Sequence, residues 1–324
     1  MKGSSKGTLI EILRILHQAG FSLSEVDSEQ YCLELVAKKG DVKLLIKTLE
    51  NVDSERREAA EELKSLATAT SSSPLIIGSR VKCGRLEEGA LYERYGVNVV
   101  SPDTFKEATL KGSLPFVQSK RGGLYFRING KTLKRLREGR KMSLGDLAKR
   151  IGVSRKAVYE YETGGMGATL ETVARIEEVF NVGLTQGIDI FDWQCTGEPE
   201  AKAPSDPVAR RLHYKLKEIG CKVMGFDYAP IDVHARTVGV SFLTNEKGPG
   251  KDLDSRVESA LELAKLLDMV PVLVTGDGKP DGADIYVLRT EEVKQLKTVK
   301  DLERLLGIED KGYPKARLEE NNSL

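Results

Sequence analysis

Cysteine is scarce in this chain of 324 residues: Cys32, Cys83, Cys195 and Cys221 lie far apart and form no CxxC pair. That spacing excludes a disulfide-stapled scaffold and a zinc ribbon. Histidine is scarcer still, and His17, His213 and His234 are too scattered for ligand spacing, so neither a metal nor a cofactor is expected. Long apolar runs are missing, with nothing near the roughly 18 residues that a membrane helix needs. The opening MKGSSKG is polar and unlike a signal peptide, which leads to the expectation of a reducing cytoplasm and no membrane span. Charge of one sign is also lacking. Lys and Arg number 50 against 49 Asp and Glu, a net charge of +1, which argues against indiscriminate coating of nucleic acid.

What is present points to a globular chain. Hydrophobic residues make up 40% and charged residues 31%, so burial can offset chain entropy, and the length suits two or three domains. The balanced total hides a local excess. Between Lys131 and Lys156 stand ten cations against only Glu138 and Asp146.

The segment to about Gly112 reads as an α/β domain: helix, two strands about the Gly40-Asp41 turn, helix, strand, strand and closing helix. Residues 113–129 contain FVQSKRGGLYFRI, a hairpin signal that reads as a connector, with Lys120 and Arg121 near its turn. Residues 130–191 form an all-helical unit, and 192–207, rich in proline and small polar residues, read as a linker. From 208 to about 310 the order of the first segment returns at an offset near 200, with Asp232 opposite Glu34, which suggests internal duplication. A flexible tail at 311–324 is expected. The fold class is multidomain α/β plus all-α.

In the central unit, Ser143 and Ser154 are placed to cap two short helices, and Gly152 supplies the left-handed turn between them. Leu147, Ala148, Ile151, Val158 and Tyr161 are expected to face inward, as are Leu170, Val173 and Ile176 of a following helix that begins at Thr169. Ala148 is small where two crossing helices touch. Arg155, Lys156 and Tyr159 then fall on the opposite face, where a major-groove helix contacts base edges.

The stretch DLAKRIGVSRKAVYEYETG resembles the Cro and lambda-repressor type of helix-turn-helix domain over about 55 residues. The resemblance implies that Ser154, Arg155, Lys156 and Tyr159 belong to the recognition helix, and that Arg137 and Glu162 form an internal ion pair. Many members carry glutamine after the serine matching Ser143; here Leu144 stands in that place. Ser143, Lys131, Arg135, Arg140 and Lys141 complete the candidate DNA-binding set; the alternative for Lys131, Arg135, Arg140, Lys141, Lys149 and Arg150 is that they simply solvate helix faces.

The strand pair LELVAKKGDVKLLIKTL resembles the core of restriction-endonuclease-like domains, in which two carboxylates and a lysine serve a divalent metal. Glu34 can stand for the first acid, but aligning Lys47 with the lysine puts Leu45 where the second acid belongs. In the second copy Asp232 matches the first acid and VGVSFLT offers neither carboxylate nor lysine. Glu34 and Asp232 are accordingly read as strand-end residues facing water, and the flanking domains as nuclease-like but catalytically stripped. The whole layout resembles a family of archaeal transcriptional regulators. It implies a homodimer on double-stranded DNA, with no enzyme activity and an effector that the sequence does not identify; the alternative is a metal-dependent DNA-processing nuclease aimed by the helix-turn-helix unit.

Overall fold

The computed structural model describes residues 3–26, 31–120, 123–193, 202–245, 251–276 and 285–308. The hairpin turn at Arg121, half of the expected linker (194–201), Cys195 and the expected tail lie outside these residues. In chain order the elements are α1 (Gly3–Gln18), β1 (Ser22–Glu25), β2 (Leu35–Lys39), β3 (Val42–Asn51), α2 (Arg57–Thr70), β4 (Ser73–Val81), β5 (Gly84–Arg85), β6 (Ala90–Arg94) and β7 (Val97–Val100). There follow α3 (Pro102–Lys111), β8 (Val117–Lys120), β9 (Gly123–Phe126), α4 (Gly130–Gly139), α5 (Leu144–Ile151), α6 (Arg155–Thr163) and α7 (Leu170–Phe180). The last stretch holds α8 (Pro207–Glu218), β10 (Val223–Gly225), β11 (Val233–Ala235), β12 (Val240–Asn245), α9 (Lys251–Leu267), β13 (Val270–Thr275), β14 (Tyr286–Arg289), α10 (Thr290–Gln295) and α11 (Val299–Leu306).

Two compact units draw on interleaved stretches of the chain, one from residues 1–19, 48–55 and 75–192, the other from 20–47, 56–74 and 193–324. In the first unit, β4 lies parallel to β7, β7 antiparallel to β6, β6 parallel to β8, and β8 antiparallel to β9. Ser101 caps α3, its side chain accepting from the Thr104 N–H, and Pro102 opens the helix where its missing N–H costs nothing. The expected hairpin at 113–129 is present, and it does more than connect. Phe126 exchanges both backbone hydrogen bonds with Ala168 at 2.7 and 2.9 Å, and Asn129 N donates to Leu184 O at 2.8 Å. Ile128 is buried in the same apolar cluster as Leu133, Leu147, Val158 and Ile176, so the return strand supplies part of the helical core.

In the second unit, β1, β2 and β3 form an antiparallel meander with Leu35 opposite Ile46. A five-stranded sheet runs β10-β11-β12-β13-β14, antiparallel for the first three strands and parallel thereafter. The parallel strand β13 reads VPVLVT, the β-branched, apolar pattern of a strand covered on both faces. Helix α8 buries Ala209, Leu212 and Leu216 in the cluster of Val233, Phe242 and Val272.

Strands β1 and β10 have no clear signal in the sequence. Both are short, and SLSE has no apolar alternation to announce a strand; each is an edge strand defined by its antiparallel neighbour. Strand β6, likewise without an expectation, pairs with β7 through a tight Tyr95-Gly96 turn in which both residues have positive φ.

Candidate nucleic-acid interface

Helices α4 to α7 form as their end signals direct. Asn129 caps α4, Ser143 caps α5, Ser154 caps α6 and Thr169 caps α7, each side chain accepting from an N–H of the first turn. Gly152 ends α5 at φ 73°, the left-handed conformation that lets the chain turn directly into α6. Ala148 is buried beneath that turn, and Val158 and Tyr161 return α6 to the core.

With those two residues inward, α6 turns Arg155, Lys156 and Tyr159 to solvent, Tyr159 with 54% of its surface exposed. Neither Arg155 nor Lys156 has a carboxylate within ion-pair distance among the described residues. Both sit at the start of α6, where the unpaired first-turn N–H groups add positive potential. The end is suited to a phosphate or an electronegative base edge.

The expected ion pair between α4 and α6 is present. Arg137 donates from Nε to Glu162 Oε1 at 2.5 Å and from Nη2 to Oε2 at 3.0 Å, and Nη1 reaches the Met142 carbonyl at 2.9 Å. The hydrogen bonds to Glu162 raise the guanidinium pKa further. A side chain at Gly130 would collide with the Glu162 carbonyl, so the start of α4 runs tight against the end of α6.

Other candidate residues are more occupied than their exposure suggests. The Ser143 hydroxyl donates to Asp146 Oδ2 at 2.7 Å and accepts from Asp146 N at 3.1 Å, completing a reciprocal cap that holds the Asp146 carboxyl below its ordinary pKa. Arg140 is spent on the end of α7: Nη1 and Nη2 donate to the carbonyls of Val179 and Phe180, and the guanidinium lies over the Phe180 ring. Lys131, Arg135 and Lys141 are exposed, Lys141 in the left-handed region at φ 53°. Leu170, expected inside, is 65% exposed because it is the first residue of α7, and only the face carrying Val173 and Ile176 meets the core. Arg175 went unremarked in the sequence; its Nη1 donates to Ile151 O at 3.1 Å and Nη2 to Glu171 at 2.7 Å, fastening α7 to the end of α5. An arginine four residues after a glutamate was the available signal.

The two strand-end acids do not face water. Glu34 retains 8% of its surface, and its N–H donates to the Ile46 carbonyl at 2.8 Å. Asp232 accepts from Thr244 N at 2.7 Å and Thr244 Oγ1 at 3.0 Å, and both its oxygens receive Arg256 Nη2, at 2.8 and 2.9 Å. Burial pushes its carboxyl pKa up against the pull of Arg256 and Thr244. Each acid immediately precedes a strand that is central in its meander, and Asp232 is closed over by Thr244 of β12 and Arg256 of α9. A divalent ion of the nuclease type does not fit this donor set. Leu45 is fully buried where a second carboxylate is needed, and Lys47 donates to the Tyr31 carbonyl at 2.6 Å.

Two family models match the chain: "PD-(D/E)XK superfamily domain" over residues 5–115 and "Helix-turn-helix" over residues 133–186. Three curated relatives share the printed name "Putative HTH-type transcriptional regulatory protein". The one from Thermococcus gammatolerans is 33% identical over 92% of this chain and 95% of its own. That of Thermococcus kodakarensis is 34% identical over 92% and 93%, and that of Methanocaldococcus jannaschii 32% over 82% and 85%. The chain belongs to this archaeal HTH-type regulator family. No solved structure matches it. Within the family architecture, the nuclease-like match covers α1 to α3 and the helix-turn-helix match covers α4 to α7, while α8 to α11 fall outside both. Among the described residues, no helix is long and apolar enough to cross a membrane.

Proposed function

We propose that this chain is a sequence-specific transcriptional regulator of the cytoplasm that sets α6 in the major groove of operator DNA. The observation that carries the reading is the one outward face of Arg155, Lys156 and Tyr159, held by the inward anchors Val158 and Tyr161. Arg155 and Lys156 contact base edges or phosphates, Tyr159 packs at the groove floor or wall, and Ser154, Lys131, Arg135 and Lys141 hold the backbone. Ser143 and Arg140 act by fixing α5 and α7, as their internal hydrogen bonds suggest. One head of this size reads few base pairs, so the regulator acts as a homodimer on a palindrome whose half-sites lie one helical turn apart.

Selection of bound duplexes from random-sequence DNA tests the proposal. The expected result is a two-fold symmetric consensus; a pool that never enriches would refute it.

The flanking regions serve dimerisation or effector sensing and are not enzymes in this reading. Support comes from Leu45 and Lys47, which leave the nuclease-like domain short of a carboxylate and a mobile lysine. The rival is a DNA-processing nuclease. Supercoiled and branched DNA incubated with the protein and magnesium or manganese stays intact in our reading; cleavage that Glu34→Ala abolishes would establish the rival.

A duplication relates the two α/β regions in the same reading. Val26 N donates to Glu34 O and Glu34 N to Ile46 O; likewise Phe226 N donates to Asp232 O and Asp232 N to Phe242 O. All four bonds are 2.8–2.9 Å, so the two acids occupy the same step of the same three-stranded meander.

A further inference from the structure

The region beyond both family-model matches carries its own concentration of positive charge. Helix α8, PVARRLHYKLKE, holds Arg210, Arg211, Lys215 and Lys217 against the single carboxylate of Glu218. Its inward face is set by Ala209, Leu212, His213 and Leu216, all buried. The rest of the circumference must therefore stand outward, and Arg210, Arg211, Tyr214 and Lys217 are exposed.

Two of the five charges on α8 cancel, and one is tied down. Lys215 pairs with Glu218 at 3.2 Å, and Arg210 donates to the carbonyls of Pro204 and Ser205. Arg211 and Lys217 have no carboxylate within ion-pair distance among the described residues. Just past the helix Lys222 is also exposed, and its carbonyl accepts from Arg236 N at 2.9 Å, which adds two cations beyond Gly220. Between them Tyr214 presents 58% of its surface, its ring held edge-on to buried His213 at 5.5 Å. Tyr214 stands outside the buried apolar cluster that the inner face of α8 joins. Flanked by cations, it offers a hydroxyl and a flat ring to a polyanion.

We propose that the outer face of α8, with Arg211, Tyr214, Lys217 and Lys222, is a second duplex-DNA contact that grips the phosphate backbone without reading sequence. Its physical basis is counterion release: each phosphate neutralised by Lys or Arg releases condensed cations, so binding weakens with salt in proportion to the number of contacts. The neutral whole-chain charge makes such a local patch necessary for any electrostatic hold away from the helix-turn-helix head. The proposal rests on the reading of this chain as a binder of duplex DNA.

The test titrates full-length protein against a random-sequence duplex of about 40 base pairs at NaCl concentrations from about 50 to 200 mM. The triple variant R211A/K217A/K222A changes only exposed side chains and so leaves the fold intact, which a thermal melt checks. Its slope of log affinity against log salt is expected to fall by about 2–3, at roughly 0.9 per lost contact. Tyr214→Ala weakens binding severalfold at every salt concentration and leaves the slope unchanged, because the contact it removes carries no charge. A triple variant with the wild-type slope overturns the proposal, and so does one that keeps that slope while losing affinity for polyglutamate, which would assign the face to an acidic protein partner. Arg155→Ala run in parallel separates the two readings: if α6 does not read sequence, that variant keeps its operator preference, while the salt-slope change on α8 is unaffected.

Discussion

Arg155 and Lys156 carry their charge into solvent from the start of α6, whereas Asp232 and Arg256 spend theirs on each other beside Thr244. The first pair is exposed and has no carboxylate partner among the described residues; the second makes four hydrogen bonds including those from Thr244. Charge that the fold leaves unsatisfied is available to an external partner, and charge that it satisfies internally is structural. Sequence alone makes both look alike. A run of cations and a strand-end acid are equally polar letters, and only the coordinates tell which has been consumed.

The contrast is tested most severely inside the head, where Arg137 and Glu162 are a consumed pair. Arg137→Met is expected to cost about 3–5 kcal/mol of stability because it strands a buried carboxylate. Urea unfolding measures it, and the double variant R137M/E162L recovers most of the loss. If the single change costs under 1 kcal/mol, internal pairing does not separate the two kinds of charge.

Glu62 sharpens the same contrast through pH. Its buried carboxylate accepts from Asp227 N at 2.9 Å and Tyr228 N at 2.6 Å, with the charges of Asp227 and Lys202 acting on it. Burial outweighs those hydrogen bonds and raises its pKa from 4.5 to about 7. A carboxyl raised in the folded state favours folding while it holds its proton. Its contribution is fully present below about pH 4.5 and is lost as pH rises through about 7. The change amounts to at most about 3 kcal/mol. Glu62→Gln keeps an acceptor without the charge, so the difference between wild type and variant in denaturant midpoints is expected to grow from pH 4.5 to 7.5. A constant difference would refute the assignment.

For the exposed charges the effects are smaller and appear only with DNA. Arg155→Ala costs about 1–3 kcal/mol at particular base pairs and little on random sequence. Equal losses on both would demote it to a phosphate contact. Lys141→Gly is expected to weaken all sequences alike and lower the salt slope by roughly 0.9. Glycine suits this position better than alanine, because at φ 53° a Cβ is already strained.

The helix-turn-helix unit was legible in the sequence because its signals are local. Serine before a helix, glycine after it and alanine at a crossing act over three or four residues, and Ser143, Gly152, Ser154 and Ala148 stand where those rules placed them. Leu170 was misread for a local reason: apolar letters at helical spacing do not say which turn of a helix overhangs the core. Arg140 is legible as an exposed polar residue but not as an occupied one, since the carbonyls of Val179 and Phe180 lie some 40 positions away. The interleaving of 20–47 and 56–74 with the C-terminal region had no sequence signal. It depends on pairings such as Lys38 and Lys43 with Asp268, more than two hundred residues away.

Phe126 exchanges hydrogen bonds with Ala168 on one side while its strand pairs with β8 on the other. The head is thereby tied to the sheet at a point beyond the covalent chain, so a shift of the strand is passed to the loop between α6 and α7. Ala168→Pro, which removes the N–H given to the Phe126 carbonyl, is expected to loosen that coupling and change DNA affinity without touching any DNA-facing residue.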